Sequence, residues 1–300
     1  MATEPVLVTG ATGKQGGATA RALLAAGSPV RAFVRDPATE RAKAVEALGA
    51  ELVTGDLDDP ASIRRAAEGA RAVFSVQMPD LNDLAGDSEW VQGRNLVDAA
   101  RDAGVDQFVH TSASGVGQHV DAPGWADGRW AAMEHSLGTK KALQDRVRDA
   151  GFRYWTLLKP AFFMETFLPP SLLMPNRPEG GLVGLIKPDT ELSLVAVADI
   201  GAAAAAAFAD PERFHKVELE LASDRMSMRR IAEVLSHALG TTLTAPEMSA
   251  SEAVAAGMPE FLVRPHEWQN EVGQPARPEF AQALDIPLTG FADWAEKTIA

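Results

Sequence analysis

The chain contains no cysteine, which excludes disulfides, thiolate zinc sites, iron–sulfur clusters and a cysteine nucleophile. Tyrosine is almost absent as well, with 1 copy in 300 residues. No apolar run approaches the ~20 residues that a membrane helix needs. Positive charge is in deficit: 28 Lys and Arg stand against 41 Asp and Glu, a formal net charge of −13. A surface that grips nucleic acid needs clustered Lys and Arg, so nucleic acid is not an expected partner. The six histidines have no i,i+4 partner, so no metal site is expected. The opening Met-Ala-Thr-Glu-Pro has no basic stretch ahead of an apolar core. No secretory signal is therefore expected, and the expected location is cytoplasmic.

What is present suits a globular chain that acts on small molecules. At roughly 150 residues per domain, 300 residues suggest two domains or one large α/β unit. Such a length buries a sizeable core without staples. The first 160 residues alternate regularly. β-branched runs predict strands over 6–9, 30–34, 51–54, 72–76, 107–111 and 153–158. Helical spacing, closed repeatedly by glycine, predicts helices over 15–26, 37–48, 60–68, 88–103 and 131–150. Short connections between them imply a doubly wound parallel sheet with strand order 3-2-1-4-5-6 and helices on both faces.

After Pro160 the rhythm changes. Residues 168–188 carry five prolines and three glycines and read as irregular chain rather than core. Asp199 is placed to cap a helix over 200–209, whose alanine run favours helix and close packing. A strand is expected over 217–222 and helices over 227–239, 259–272 and 289–299. Ser249 and Glu252 form a capping-box pattern. The fold class expected is thus an α/β Rossmann-type domain over 1–160. A smaller, mostly helical domain over 161–300 follows, partly interleaved with the sheet.

The most informative stretch runs from Val6 to Gly17, VLVTGATGKQGG. Its glycines follow a strand and open a helix, the context in which a glycine loop cradles a diphosphate. Gly10 permits the tight turn, Gly13 lets backbone approach the ligand at the helix N-terminus, and Gly16 allows close packing. The end of the second strand selects the cofactor. A carboxylate there would take the ribose 2′-OH of NAD. Here Arg35 occupies the strand end and can fork onto a 2′-phosphate, while the adjacent Asp36 leaves the alternative open. Asp56, after the third strand, is either an acceptor for the adenine amino group or a turn carboxylate. Gln77, at the end of the fourth strand, should border the cofactor ribose and nicotinamide.

Together these residues resemble the short-chain dehydrogenase superfamily, and within it the atypical NmrA-like branch. That branch includes NADP-sensing regulators and NAD(P)H-dependent reductases of quinones, dyes and plant phenolics. The resemblance rests on VTGATGKQGG at 8–17, VRAFVRDP at 30–37, GDLDD at 55–59 and FSVQMP at 74–79. FVHTSASG at 108–115, Lys140, KPAFFMETF at 159–167 and LDIPLTGFADWAEKT at 284–298 complete it. It implies that Thr12, Lys14, Gln15, Pro160 and Phe162 join the glycines, Arg35, Asp56 and Gln77 around NADP(H), with NAD(H) as the alternative. It also implies that Lys140 binds the nicotinamide ribose.

The superfamily's usual acid is a tyrosine four residues before that lysine. Ser136 stands there instead. The one tyrosine, Tyr154, lies in the sixth strand, and Lys141 points about 100° away from Lys140. Lys140, Ser136 and Ser112 are therefore the candidate catalytic residues, each with a plain structural reading beside it. His135 and Ser136 either line the nicotinamide end or face solvent. The loop 115–130, with His119, Trp125 and Trp130, and the stretch 162–174 suit a flat aromatic substrate or simple packing. Two functions follow. One is an NADP-preferring oxidoreductase that passes hydride to a small conjugated acceptor such as a quinone, enone or dye. The other is an NADP(H) sensor with little turnover that acts through a protein partner. A homodimer is compatible with either.

Overall fold

Strand and helix alternate along the chain from residue 6 to residue 160, as the pattern of β-branched runs and glycine stops requires. This computed structural model describes residues 4–176, 178 and 181–299. The opening Met-Ala-Thr, Ala300, and Arg177, Glu179 and Gly180 of the 168–188 stretch lie outside the described residues.

The strands are β1 (Val6–Val8), β2 (Val30–Val34), β3 (Glu51–Thr54), β4 (Ala72–Ser75), β5 (Gln107–Thr111) and β6 (Tyr154–Pro160), then β7 (Phe162–Phe163), β8 (Glu191–Val195), β9 (Val217–Leu221) and β10 (Asp224–Ser227). The helices are α1 (Lys14–Ala25), α2 (Glu40–Ala47), α3 (Pro60–Ala67), α4 (Ser88–Asp102), α5 (Ala131–Asp149) and α6 (Val197–Ala209), then α7 (Met228–Leu239), α8 (Ala250–Ala255), α9 (Val263–Glu271), α10 (Pro278–Gln282) and α11 (Phe291–Thr298). They fall into two units. The first comprises Met1–Val116, His135–Lys159 and Val197–Leu219; the second comprises Gly117–Glu134, Pro160–Ala196 and Glu220–Ala300.

The large sheet has the order β3, β2, β1, β4, β5, β6, β9. This is the expected 3-2-1-4-5-6 with β9 added beside β6, where Lys216 N–H donates to the Trp155 carbonyl. One face buries Leu7, Val73, Phe108 and Leu157 against Ile63 of α3, Leu96 and Val97 of α4 and Val147 of α5. Phe108 stacks on Phe152 with ring centroids 4.7 Å apart. On the other face α1 and α6 meet without large side chains between them. A Cβ on Gly201 would stand 2.5 Å from the Ala18 carbonyl oxygen. The alanine run of α6 is thus a contact surface, with Ala203, Ala204 and Ala207 fully buried.

The second unit is mostly helical around a three-stranded sheet in the order β10, β8, β7. β10 pairs antiparallel to β8, and β7 parallel to it. Its core includes Met164, Phe167, Leu192, Leu194, Ile231 and Leu235, with Phe291 stacked on Trp294. The 168–188 stretch departs from expectation. Its described residues have little regular structure, yet Leu173, Met174, Leu182 and Ile186 are core residues. Prolines and glycines stop regular hydrogen bonding without stopping burial of the apolar residues between them.

Several boundaries move for local reasons. α6 begins at Val197, so Asp199 is a buried first-turn residue and not its cap. A carboxylate in the first turn still meets the positive end of the helix dipole. α2 starts at Glu40, after Thr39 accepts from Ala42 N–H, because Asp36 spends its carboxylate on Ala38 N–H. The expected helix over 259–272 is a 3-10 turn at Glu260–Leu262 followed by α9, with Pro265 in the first turn, where its missing N–H costs least. Gly240, at φ 63, ends α7 in the left-handed conformation, and Ser249 and Glu252 form the capping box of α8.

Two helical glycines should respond with opposite sign to the same substitution. Gly201→Ala should lower the free energy of unfolding by about 1–3 kcal/mol, because the added methyl has no room against α1. Gly138→Ala, in α5 where a Cβ meets nothing within 4 Å, should raise it by about 0.5–1 kcal/mol. Urea unfolding of the two variants beside the parent checks both signs.

Candidate functional site

The site is built where β1 hands the chain to α1. Gly10 turns the backbone at φ 62, and its carbonyl accepts from Gly13 N–H at 2.8 Å. Gly16 packs so tightly that a Cβ would lie 2.4 Å from the Thr9 and Gly10 carbonyl oxygens. At Gly13 the same contact, to Gly10 O, is 3.2 Å. Gly16 therefore seats the helix on the strand end, and Gly13 leaves the loop bare toward solvent. α2, α3, α7 and α8 begin with Thr39, Asp59, Ser227 and Ser249, each side chain accepting from a backbone N–H. α1 begins with Gly13, without a side-chain cap and with no acidic residue in its first turn. The positive end of its dipole faces the glycine loop, where an anion is favoured.

Beside this loop lies a cleft of about 700 Å³, at the switch point between β1 and β4. Gly10, Thr12, Arg35, Asp56 and Gln77 all line it, so the structure brings these five expected residues together. Lys14 and Gln15 follow Gly13 in the first turn of α1, and Gln15 Oε1 accepts from Thr111 Oγ1 at 2.6 Å, tying that turn to the end of β5. Asp36 does not line the cleft; its Oδ1 accepts from Ala38 N–H at 2.8 Å. Asp56 borders the cleft, and its Oδ1 accepts from Asp58 N–H, which makes it a turn carboxylate.

Lys140, Ser136 and Ser112 lie outside the lining of that cleft. Lys140, on α5, places Nζ 2.5 Å from Glu89 Oε1 in the first turn of α4. One turn later Gln144, fully buried, donates to Ser112 Oγ at 2.8 Å, just beyond β5. Ser136, Lys140 and Gln144 thus share one stripe of α5 at i, i+4 and i+8. His110 sits beneath, with Nδ1 3.0 Å from Ser75 Oγ, and Gln77 Nε2 donates to that same hydroxyl at 3.2 Å. Burial, with the Lys140 charge adding to it, pushes the His110 imidazole down to about 3.

Tyr154 begins β6, paired with Gln107 at the start of β5, whereas the site lies at the strands' other ends. Its hydroxyl donates to Glu212 Oε1 at 3.4 Å. Lys141 pairs with Asp145 on the surface of α5. His135 meets the Gly86 carbonyl through Nε2 at 3.1 Å, which fastens the loop before α4.

Pro160 closes β6, Phe162 lies in β7, and both belong to the second unit. His119, Trp125 and Trp130 also belong to that unit. There Trp125 and Trp130 both meet Trp268 edge-on, and His119 meets Trp125 at 4.7 Å. Gly117 N–H donates to His119 Nδ1. Among the described residues no group of three or more His, Asp or Glu could hold a metal ion, and no helix is long and apolar enough to cross a membrane.

Three side chains that tie this region together carry no sequence signal strong enough to find them. Thr9 Oγ1 accepts from Val76 N–H and lies 3.1 Å from the Phe74 carbonyl, binding the end of β1 to that of β4. Gln144 holds Ser112, and Glu89 holds Lys140 from 51 residues away. Only the topology brings these partners together.

A family model described as the NmrA-like family matches residues 2–282. The NAD(P)H azoreductase of Xenophilus azovorans is 29% identical over 303 residues, covering 97% of this chain and 96% of its own. The triphenylmethane reductase of Citrobacter sp., solved with NADP(H), superposes with a TM-score of 0.79 at 22% identity, over 99% of this chain and 100% of its own. The negative transcriptional regulator NmrA, solved with NAD, gives 0.74 at 20% identity, over 100% of this chain and 96% of its own. The fold is thus shared by reductases and by a regulator.

The buried imidazoles set an acid limit on stability. His266, which accepts from Leu185 N–H through Nδ1, is pushed down to about 4 by burial. Both His110 and His266 have native values below the unfolded one. The unfolded chain therefore binds more protons once pH drops below about 6.5, and stability falls with pH from there. Each imidazole should cost about 2 kcal/mol by pH 5. Urea unfolding at pH 7 and pH 5 should show this loss, and His110→Asn, which can still bond Ser75, should remove roughly half of it. An undiminished loss in that variant would clear His110 of the effect.

Proposed function

Because the chain belongs to the NmrA-like family, we propose that it is an NAD(P)H-dependent oxidoreductase. It prefers NADP(H) over NAD(H) and reduces a small conjugated or aromatic acceptor: a quinone, an enone or a dye. The observation that carries the cofactor choice is the division of labour at the end of β2. Arg35 lines the cleft, while the neighbouring carboxylate of Asp36 is occupied by a backbone amide. A planar guanidinium in the cleft wall, next to an Asp36 that does not line it, suits a 2′-phosphate.

The residues fit the dinucleotide. The first turn of α1 and the glycine cradle receive a diphosphate, with Gly10, Thr12, Gly13, Lys14, Gln15 and Gly16 forming that end. Asp56 accepts from the adenine amino group, and Gln77 borders the ribose and nicotinamide. Lys140 donates to the ribose hydroxyls. Pro160 and Phe162 stay in the proposed set through the family pattern alone. Once bound, the dinucleotide supplies the hydride.

The acceptor follows from what the chain can do with a proton. Reduction of an isolated ketone makes a strongly basic alkoxide that needs a positioned acid. Tyr154 is at the wrong end of the sheet, and Ser136 has replaced the usual tyrosine. Ser112, held by Gln144, can orient an acceptor oxygen but is a poor acid. A conjugated acceptor gives a delocalised, weakly basic anion that water protonates later, so positioning suffices. That missing acid also favours the second reading, a sensor of NADP(H) that works through a protein partner.

NADPH consumption across matched quinones, enones, dyes and saturated ketones tests the reading. Turnover should be concentrated in the conjugated members. Fast turnover confined to saturated ketones would defeat it, and tight NADPH binding with no turnover would establish the sensor instead. Arg35→Ala should weaken NADPH by roughly 1.5–3 kcal/mol and leave NADH nearly unchanged. Equal losses for both cofactors would remove Arg35 from cofactor choice.

A further inference from the structure

We infer that Glu89 is a positioning residue of the dinucleotide site, one that holds the Lys140 ammonium where it meets the nicotinamide ribose. The inference rests on the cofactor reading above and names a residue outside the proposed set. Glu89 is buried, with its side chain 8% exposed, and its Oε1 lies 2.5 Å from Lys140 Nζ. A carboxylate that far from water needs a strong partner or a strong field. Glu89 has both, since it also sits in the first turn of the 15-residue α4, at the positive end of its dipole. The helix therefore fixes the anion, and the anion fixes the lysine, whose long stem would otherwise sample many rotamers.

An ammonium has three N–H donors. One directed at Glu89 leaves two whose directions are then set. The same corner is tied a second time, because His135 on α5 meets the Gly86 carbonyl three residues before Glu89. Ser88 and Gln92, either side of Glu89 on α4, line the cleft, and Ser88 Oγ is buried with no hydrogen-bond partner among the described residues. Glu89 thus links the lysine to the cleft wall and touches no reacting atom itself.

The test compares two ligands on one folded protein. NADPH carries the nicotinamide ribose, and 2′,5′-ADP lacks it while keeping the adenosine and the 2′-phosphate. Intrinsic tryptophan fluorescence can follow both titrations, with Trp90 adjacent to Glu89. Glu89→Gln should weaken NADPH roughly tenfold and leave 2′,5′-ADP within about twofold. Glu89→Asp, which keeps the charge, should recover most of the NADPH affinity. Lys140→Met should match Glu89→Gln, and the double variant should lose no more than Lys140→Met alone, because the two act through one contact.

Parallel losses of both ligands in Glu89→Gln and Glu89→Asp would make the pair a structural strut and overturn the proposal. Unchanged NADPH affinity in folded Glu89→Gln would do the same. A parent protein that binds neither ligand removes the dinucleotide reading itself, and the proposal falls with it.

Discussion

The uncapped start of α1 is the feature on which the first unit turns. A helix leaves its leading N–H groups without internal partners, and this chain supplies side-chain caps to four other helices. At α1 it supplies glycine. That choice forces others. The helix must start hard against the end of β1, so Gly16 cannot carry a Cβ beside the Thr9 and Gly10 carbonyls, and Gly10 must turn at positive φ. The strands must part at this point, which they do where β1 lies between β2 and β4.

Around that opening the polar groups are bonded in ways that fix position. Thr9 locks two strand ends together, Gln15 reaches Thr111, Gln144 reaches Ser112, and Ser75 joins His110 to Gln77. Each is a hydrogen bond between groups that would cost free energy if buried alone. Together they make the strand ends a stiff platform. Chemistry that depends on alignment rather than on a strong acid suits such a platform.

Much of the fold was legible because periodicity and punctuation agreed. The strands at 30–34, 51–54 and 107–111 match the structure residue for residue, each a short apolar run bounded by glycine or a turn. The small sheet of the second unit was not legible. β7 is two residues long, and β10 reads Asp-Arg-Met-Ser, with no apolar alternation. Buried irregular chain defeats pattern reading in the same way, as at Leu173 and Ile186. In the site, glycines and Arg35 could be placed because they follow strand ends in sequence. Whether Asp36 faced the cleft or its own backbone depended on one side-chain torsion, which no spacing rule encodes. Glu89 and Lys140 sit 51 residues apart, and only the packing of α4 beside α5 makes them neighbours.

The close seating of α6 on α1 bears on how the molecule is made. α6 and most of β9 belong to the first unit, yet the chain reaches them only after a stretch of the second. A fragment ended near residue 160 would bare the alanine-faced contact around Ala18 and leave β6 as an unpaired edge. On the ribosome the first unit cannot close until about residue 219 has emerged. Its assembly therefore waits on contacts between segments far apart in sequence, because the segments of the two units alternate along the chain rather than following one another as successive beads.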